Sequence, residues 1–288
     1  MDLAYLRAHP EQLPMFLKHQ RIRTTPVSGG SICHAERLTL DDGSDLFLKS
    51  IDDPSEGFFA AEAAGLRWLR AGCPELIPEV IVATDEMLVL PWIEPGQPTR
   101  QRAETLGRLL ADLHDSGANQ FGAPWGGYIG ALPLPNAQSN GTWSSWYAEH
   151  RLAPYLKLSV DNGALDPAAA AAVGQVIDRV DRFAGPEEPP SRLHGDLWPG
   201  NVHWAAGGVW LIDPAAHGGH RETDLATLTL FGGAPHLETI LSAYQEISPL
   251  ADGWRDRTPL HQLHLLLVHT ALFGSGYRSA VLSAAARL

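Results

Sequence analysis

The stretch RLHGDLWPGN, Arg192–Asn201, governs the reading of the whole chain. Asp196 stands behind a His-Gly pair, and Asn201 stands five positions after it. Pro199-Gly200 turns the chain between them, so a carboxylate and an amide mark the two ends of one tight loop. The carboxylate can accept a proton from a substrate hydroxyl. The neutral amide oxygen can ligate a hard cation without competing for that proton. Further on, the apolar run GVWLI ends in Asp213, within LIDPA, which offers a second, anionic oxygen ligand. Phosphoryl transfer asks for these parts: a positioned nucleophile and neutralised phosphate charge. Either Asp alone could equally cap a turn or a helix. An Asp-x4-Asn loop followed by a strand ending in Asp is much harder to explain as capping.

The pattern resembles the H-R-D-x4-N and D-F-G elements of protein kinases, with HGD for HRD and DPA for DFG. That resemblance makes upstream demands, and the sequence meets them. In VSGGSICHAE the backbone N–H groups of Gly29, Gly30 and Ser31 can point at phosphate oxygens. Lys49 ends the strand-like run LFLKS and is the only Lys between Lys18 and Lys157. Glu62 lies in the apolar FFAAEAAGL, where an unpaired carboxylate is costly, and Lys49 is its expected partner. LVLPWIE then leads out of the last strand of this half. Its Leu90 and Pro91, through the Pro91 carbonyl, and the N–H of Ile93 are placed to serve the edge of an adenine.

Bulk properties set the frame. A chain of 288 residues can bury the core of one large domain or two lobes. A net charge of −12 repels phosphate backbones and argues against a nucleic-acid partner. Cys33 and Cys73 are too few for a disulfide framework and suit a reducing compartment. MDLAYLRAHPEQLPMF has neither the basic nor the apolar segment of a signal peptide. No apolar run reaches the length of about 18 residues that a membrane span needs. A cytoplasmic protein is expected.

The layout changes character midway. Residues 22 to 50 read as strands, with Asp42-Gly43 in a turn. Glu56 to Ala71 reads as a helix, and EVIVATDEMLVLPW as two further strands. After IEPGQP, TRQRAETLGRLLADLHDSG forms an amphipathic helix capped by Thr99. Helical signal returns at about 142–158, 166–184, 222–231, 235–247 and 257–287, with short strands at 202–204 and 208–212. The Gly/Pro-rich stretch 121–141 is long for a loop in a compact protein and reads as functional. The expected class is α+β with a bilobal protein-kinase-like fold. Residues 1–93 form a small antiparallel β lobe with one key helix; residues 94–288 form a larger, mainly helical lobe.

With these residues assembled, the chain resembles the fructosamine kinase (ketosamine-3-kinase) family, relatives of the aminoglycoside phosphotransferases. The resemblance rests on HGDLWPGNV, LIDPAAHGGHRETDLATLTLFGG, FGAPWGGYIGALPLPN, WYAEHRLAPYL and LHQLHLLLVHTALFGSGY, nearly the whole chain. HGD-x4-N alone marks only the broad superfamily. Trp198, the GHRE-x-DLA stretch and the LFGG run are narrower and point away from aminoglycoside, choline and homoserine kinases. The family implies ATP-dependent phosphorylation of the 3-hydroxyl of a ketosamine, a small molecule or a glycated lysine. The product adduct is labile, so this is deglycation chemistry. By the same resemblance Asp196 is the catalytic base, Asn201 and Asp213 hold Mg²⁺, and Lys49, paired with Glu62, touches the ATP phosphates.

Trp198 can cover a sugar face and attract a cationic amine, or simply pack. His217, His220, Arg221 and Glu222 form a polar cluster after Asp213 and are candidates for contacts to substrate hydroxyls. Asp224 is expected to anchor the catalytic-loop backbone. Two departures from the family stand out. Ser31 occupies the place where many eukaryotic members carry a redox-linked Cys, with Cys33 two residues on. Pro91 replaces the usual acidic residue after the strand, which leaves ATP against GTP open. The rival readings are a kinase for another hydroxyl acceptor, such as an aminoglycoside, and a nucleotide-binding pseudokinase. Retention of Lys49, Asp196, Asn201 and Asp213 argues against the latter.

Overall fold

The computed structural model describes residues 1–19, 22–27 and 32–288. The alternating runs of the first third pair as β1 (Arg23–Pro26), β2 (His34–Thr39) and β3 (Asp45–Ser50). β2 and β3 are joined at Asp42-Gly43, where Gly43 takes φ 81°. With β4 (Val82–Ala83) and β5 (Met87–Pro91) they form an antiparallel sheet of order β1-β2-β3-β5-β4. β5 is buried along most of its length because the sheet is covered on both faces. Met87 and Val89 pack with Leu6 and Leu13 from two short helices, α1 (Leu3–Ala8) and α2 (Leu13–Lys18). Leu88 and Leu90 pack on the other side with Phe59, Ala63 and Leu66 of α3 (Phe58–Gly72).

The second half is mainly helical. Its first helix, α4 (Arg100–Asp115), starts where the Thr99 hydroxyl accepts Arg102 N–H. The hairpin β6 (Gly127–Ile129) and β7 (Leu132–Leu134) follows, then α5 (Trp143–Tyr147) and a π-helical turn, Ala148–Leu152. Next come α6 (Ala153–Asp161), α7 (Pro167–Ile177) and α8 (Val180–Phe183). The stretch His194–Asn201 lies between β8 (Ser191–Leu193) and the hairpin of β9 (Val202–Ala205) and β10 (Gly208–Leu211). β11 (His217–Gly219) returns to pair with β8. The chain closes with α9 (Glu222–Thr227), α10 (Leu237–Ile247), α11 (Trp254–Phe273) and α12 (Arg278–Ala285). α10 presses closely on α4, since a Cβ on Gly107 would lie 2.2 Å from the Ile240 carbonyl oxygen.

The structure refines two expectations. The helical signal over 257–287 is not one helix: the chain breaks at Gly274, φ 82°, between α11 and α12. The loop 121–141 is not structureless, because it carries the hairpin of β6 and β7. Among the described residues no helix is long and apolar enough to cross a membrane.

Candidate active site

The backbone of the His194–Asn201 stretch is held from below by one buried carboxylate. Asp224, in the first turn of α9, accepts His194 N–H at 2.7 Å and Gly195 N–H at 2.9 Å. His114 of α4 reaches the same carboxylate at 3.2 Å and touches the Tyr244 hydroxyl at 2.9 Å. Burial opposes the charge on Asp224, but hydrogen bonding and charge from His114 outweigh it and hold the carboxyl below its usual range. Gly195 is required at its position: φ is 81°, and a Cβ would lie 2.2 Å from the Ala215 carbonyl oxygen. His194 ties the two halves of the site together. Its Nε2 donates to the Ile212 carbonyl at 2.9 Å, so its Nδ1 is left to accept Asp196 N–H at 3.3 Å.

On this frame the residues singled out by spacing converge. Asn201 Nδ2 donates to the Asp196 carbonyl at 2.7 Å and to Asp196 Oδ2 at 3.2 Å. Asp196 Oδ1 is sealed from water and has no hydrogen-bond partner. Burial, then the Asp213 charge, push the Asp196 carboxyl well above its ordinary range, against the Asn201 hydrogen bond. Asp213 has φ 54°, a left-handed backbone that a non-glycine residue adopts at a cost of roughly 1–2 kcal/mol. Such strain persists where the surroundings fix it, commonly at working sites. Here it turns the carboxylate toward the sheet, where Asp213 Oδ1 meets Lys49 Nζ at 3.0 Å.

Lys49 also donates to Glu62 of α3, at 3.0 and 2.8 Å to its two oxygens. Burial works against the Lys49 charge, yet Glu62 and Asp213 outweigh it and keep the ammonium above its ordinary range. Asp213 remains 47% exposed, while Glu62 is 10% exposed. Lys49 and Glu62 thus form a closed pair, and Asp213 faces open space.

One cleft is lined by Lys49, Glu62, Asp196, Trp198, Asn201 and Asp213 together. Its far wall comes from α11, through Leu265, Val268, His269, Leu272 and Phe273. Trp198 lies folded over Gly200, where a Cβ would come within 2.1 Å of its ring. His269 donates Nδ1–H to the Leu265 carbonyl at 2.8 Å, and burial holds the ring below its ordinary pKa. The neutral ring therefore keeps Nε2 as an acceptor. Its only sequence signal was a His within the mostly apolar last part of α11, LLLVHTALF.

The third wall is the hairpin of β6 and β7, which contributes Gly127, Tyr128, Ile129 and Gly130. Four contacts anchor this strap. Tyr155 hydroxyl donates to Pro133 O at 2.8 Å, and Trp146 Nε1 donates to Ala137 O at 2.8 Å. Arg151 donates to Asn136 Oδ1 at 2.7 Å. Tyr128 hydroxyl donates to Glu56 O at 2.9 Å, just before α3, so the strap spans the cleft between the sheet and the helices.

Several expected site residues are not brought here. Gly29, Gly30 and Ser31 lie outside the described residues. Leu90 is buried in the core beneath the sheet. Pro91 and Ile93 line a separate hollow with Trp92 and Ala205, and the Ile93 carbonyl meets His203 Nε2 at 3.0 Å.

The cluster expected to touch substrate hydroxyls must be corrected. His217, His220, Arg221 and Glu222 do not line the cleft. His217 is buried against Trp146, with Nδ1 on the Ala215 carbonyl at 2.8 Å. Arg221 is spent on Glu188, at 2.7 and 2.8 Å. Glu222 is held by Arg257 at 2.9 and 2.6 Å. Burial would raise the Glu222 carboxyl, but hydrogen bonds from His261 and Arg257 bring it down to about 2. His220 stands between Trp143 and His261. Ligand-type atoms of His220, Glu222 and His261 lie within 4.8 Å of one another. Arg257 already occupies both Glu222 oxygens, however, and its positive charge disfavours a metal ion there.

A Lys on the β sheet paired with a Glu of the adjoining helix, facing a loop that presents Asp-x4-Asn and a strand-end Asp, defines a phosphotransferase of protein-kinase-like fold. The comparisons narrow this. The family model described as fructosamine kinase matches residues 12–288, and the chain belongs to that family. It is 34% identical to a "probable ketoamine kinase" of Enterococcus faecium over 90% of this chain and 92% of the relative. It superposes on the crystal structure of a candidate fructosamine-3-kinase from Thermobifida fusca with TM-score 0.89. That pair shares 46% identity, over 92% of this chain and 93% of the other. An aminoglycoside phosphotransferase solved with ADP and hygromycin B shares the fold at 16% identity and TM-score 0.61, covering 95% of this chain and 98% of its own.

Proposed function

We propose that this protein transfers the terminal phosphoryl group of ATP to the 3-hydroxyl of a ketosamine, an amine glycated by a sugar such as glucose or ribose. The observation that carries this reading is the sealed, unpartnered Asp196 oxygen in a cleft shared with Lys49, Asn201 and Asp213, within a fructosamine kinase chain.

In this reading Asp196 accepts the proton of the acceptor hydroxyl. Asn201 holds the Asp196 carboxylate in place through Nδ2, which leaves its own Oδ1 for a cation. Asp213 adds a carboxylate. These are the hard oxygen donors that Mg²⁺ takes, so the donor set fits that ion. Bound there, Mg²⁺ would neutralise phosphate charge. Lys49, steadied by Glu62, reaches the phosphates, and the backbone N–H groups of Gly29, Gly30 and Ser31 are proposed as further phosphate donors. Trp198 covers a sugar face, and His269 Nε2 accepts from the acceptor. We further propose residues 1–93 as the nucleotide lobe, 94–288 as the catalytic lobe, and the cytoplasm as the place of action. Both cysteines are free thiols, in keeping with a reducing compartment.

The test is product identity. Incubation with Mg-ATP and fructose-lysine should give ADP and a sugar whose phosphorus couples to the proton on carbon 3 in NMR. The phosphorylated adduct should then decay with release of free lysine. A phosphate on another carbon, or ADP without any phosphorylated sugar, would contradict the reading.

A further inference from the structure

Beyond Trp198 the cleft opens onto a continuous aromatic surface. Phe231 meets Trp198 edge-on at 5.9 Å between ring centroids, His269 at 4.8 Å and Tyr277 at 6.0 Å. Phe273 meets His269 at 5.6 Å and Tyr277 at 6.1 Å. Phe231 and Phe273 are 45% and 52% exposed, which is unusual for rings of this size. Phe231 also holds a left-handed backbone, φ 53° and ψ 37°, which a bulky residue adopts only where its surroundings fix it.

The charges of the cleft all lie at the other end, on Lys49, Glu62, Asp196 and Asp213. Arg278, next to Tyr277 in sequence, is committed to Asp166 at 2.6 Å. Among the described residues the rim therefore presents apolar faces and no counter-charge for an anion.

On the ketosamine reading, two carbons separate the carbon bearing the 3-hydroxyl from the amine. With the hydroxyl at Asp196, the amine falls beside Trp198 and its substituent points outward along the rim. We propose that Trp198, Phe231, His269, Phe273 and Tyr277 form a binding surface for the amine substituent. This surface selects ketosamines whose amine carries an apolar or aromatic group over those bearing a carboxylate next to the nitrogen. An aromatic substituent stacks on the exposed rings and buries apolar surface. A carboxylate loses water there and gains no partner.

The test compares two adducts of the same sugar, one on benzylamine and one on glycine. For wild-type protein the benzylamine adduct should show a KM lower by about tenfold, the size of a lost aromatic contact plus an unpaired charge. Phe231→Ala and Phe273→Ala, each at an exposed ring, should shrink that ratio severalfold. Equal KM values in the wild type, or a ratio that survives both substitutions, would overturn the proposal. Calorimetric binding of the same two adducts, without turnover, separates this from the reaction itself. Preference in Kd with no phosphorylation would uphold the rim and remove the ketosamine kinase reading. No preference in Kd would remove the rim whatever is phosphorylated.

Discussion

Two clusters of charge lie within a few residues of each other in sequence and behave in opposite ways. The cleft around Asp213 leaves groups unmatched: Asp196 Oδ1 has no partner, and Asp213 is half exposed in a strained backbone. In the cluster around Glu222 the carboxylates and guanidinium groups are paired within the protein, although His220 Nε2 and His261 Nε2 stay buried without a hydrogen-bond partner. Arg257 takes both Glu222 oxygens, Glu188 takes Arg221, and the rings of Trp143, His220 and His261 stack beside them. Both contain carboxylates, His and cations. The difference is whether the partners come from the protein or are still owed by a ligand. A carboxylate oxygen left without a protein partner in a cleft marks chemistry, and a carboxylate taken by a guanidinium group marks a scaffold.

The sharpest way to break this contrast is to exchange the effects. Asp196→Asn keeps the shape and removes the proton acceptor. Turnover should fall by about 10²–10⁴-fold while nucleotide binding persists. Near-normal turnover would move Asp196 into the scaffold class. Arg257→Ala does the converse. It strands the Glu222 carboxylate in the interior and should cost about 3–5 kcal/mol in urea unfolding. Turnover per folded molecule should stay near wild type. A large loss of turnover at unchanged stability would place the Glu222 cluster in the chemistry.

Acid sharpens the contrast further. Burial holds His217 and His220 neutral, each down to about 3 from an ordinary 6.5. The unfolded chain takes up these protons at higher pH than the folded one. Stability is thus full above about pH 6.5 and falls as the pH drops toward 3. Between pH 6.5 and 5 each ring should account for about 2 kcal/mol of that loss. His220→Gln should flatten the fall in urea midpoint by one ring's share. An unchanged slope would mean the ring takes its proton in the folded state. The smallest effect belongs to the strap. Tyr128→Phe removes the hydroxyl that bridges to Glu56 and should cost about 0.5–1.5 kcal/mol of stability. Acceptor KM should rise modestly while kcat holds; an effect confined to kcat would argue against a wall role for the strap.

The sequence made one of the two clusters readable and misread the other, for a physical reason. Asp196, Asn201 and Asp213 lie on one loop and the strand pair after it, so local spacing carries their geometry. Lys49 and Glu62 were legible because a carboxylate in an apolar helix demands a cation, and Lys49 was the one at hand. His220, Arg221 and Glu222 looked like site residues because their partners are remote. Arg257 lies 35 positions from Glu222, and Glu188 lies 33 positions from Arg221. No local pattern shows that pairing. β8 and β11 escaped notice because strands of three residues show no alternation. The aromatic rim was hidden because Phe231 lies far in sequence from His269 and Phe273 of α11 and from Tyr277, and the rings meet only when α11 folds back past Trp198.

The central claim is that the Asp196 cleft serves a ketosamine. It is tested most directly by ADP release from Mg-ATP with fructose-lysine, ribulose-lysine and a panel of aminoglycosides, under identical conditions. The account predicts turnover on at least one ketosamine well above every aminoglycoside. Turnover on an aminoglycoside with none on either ketosamine would contradict it.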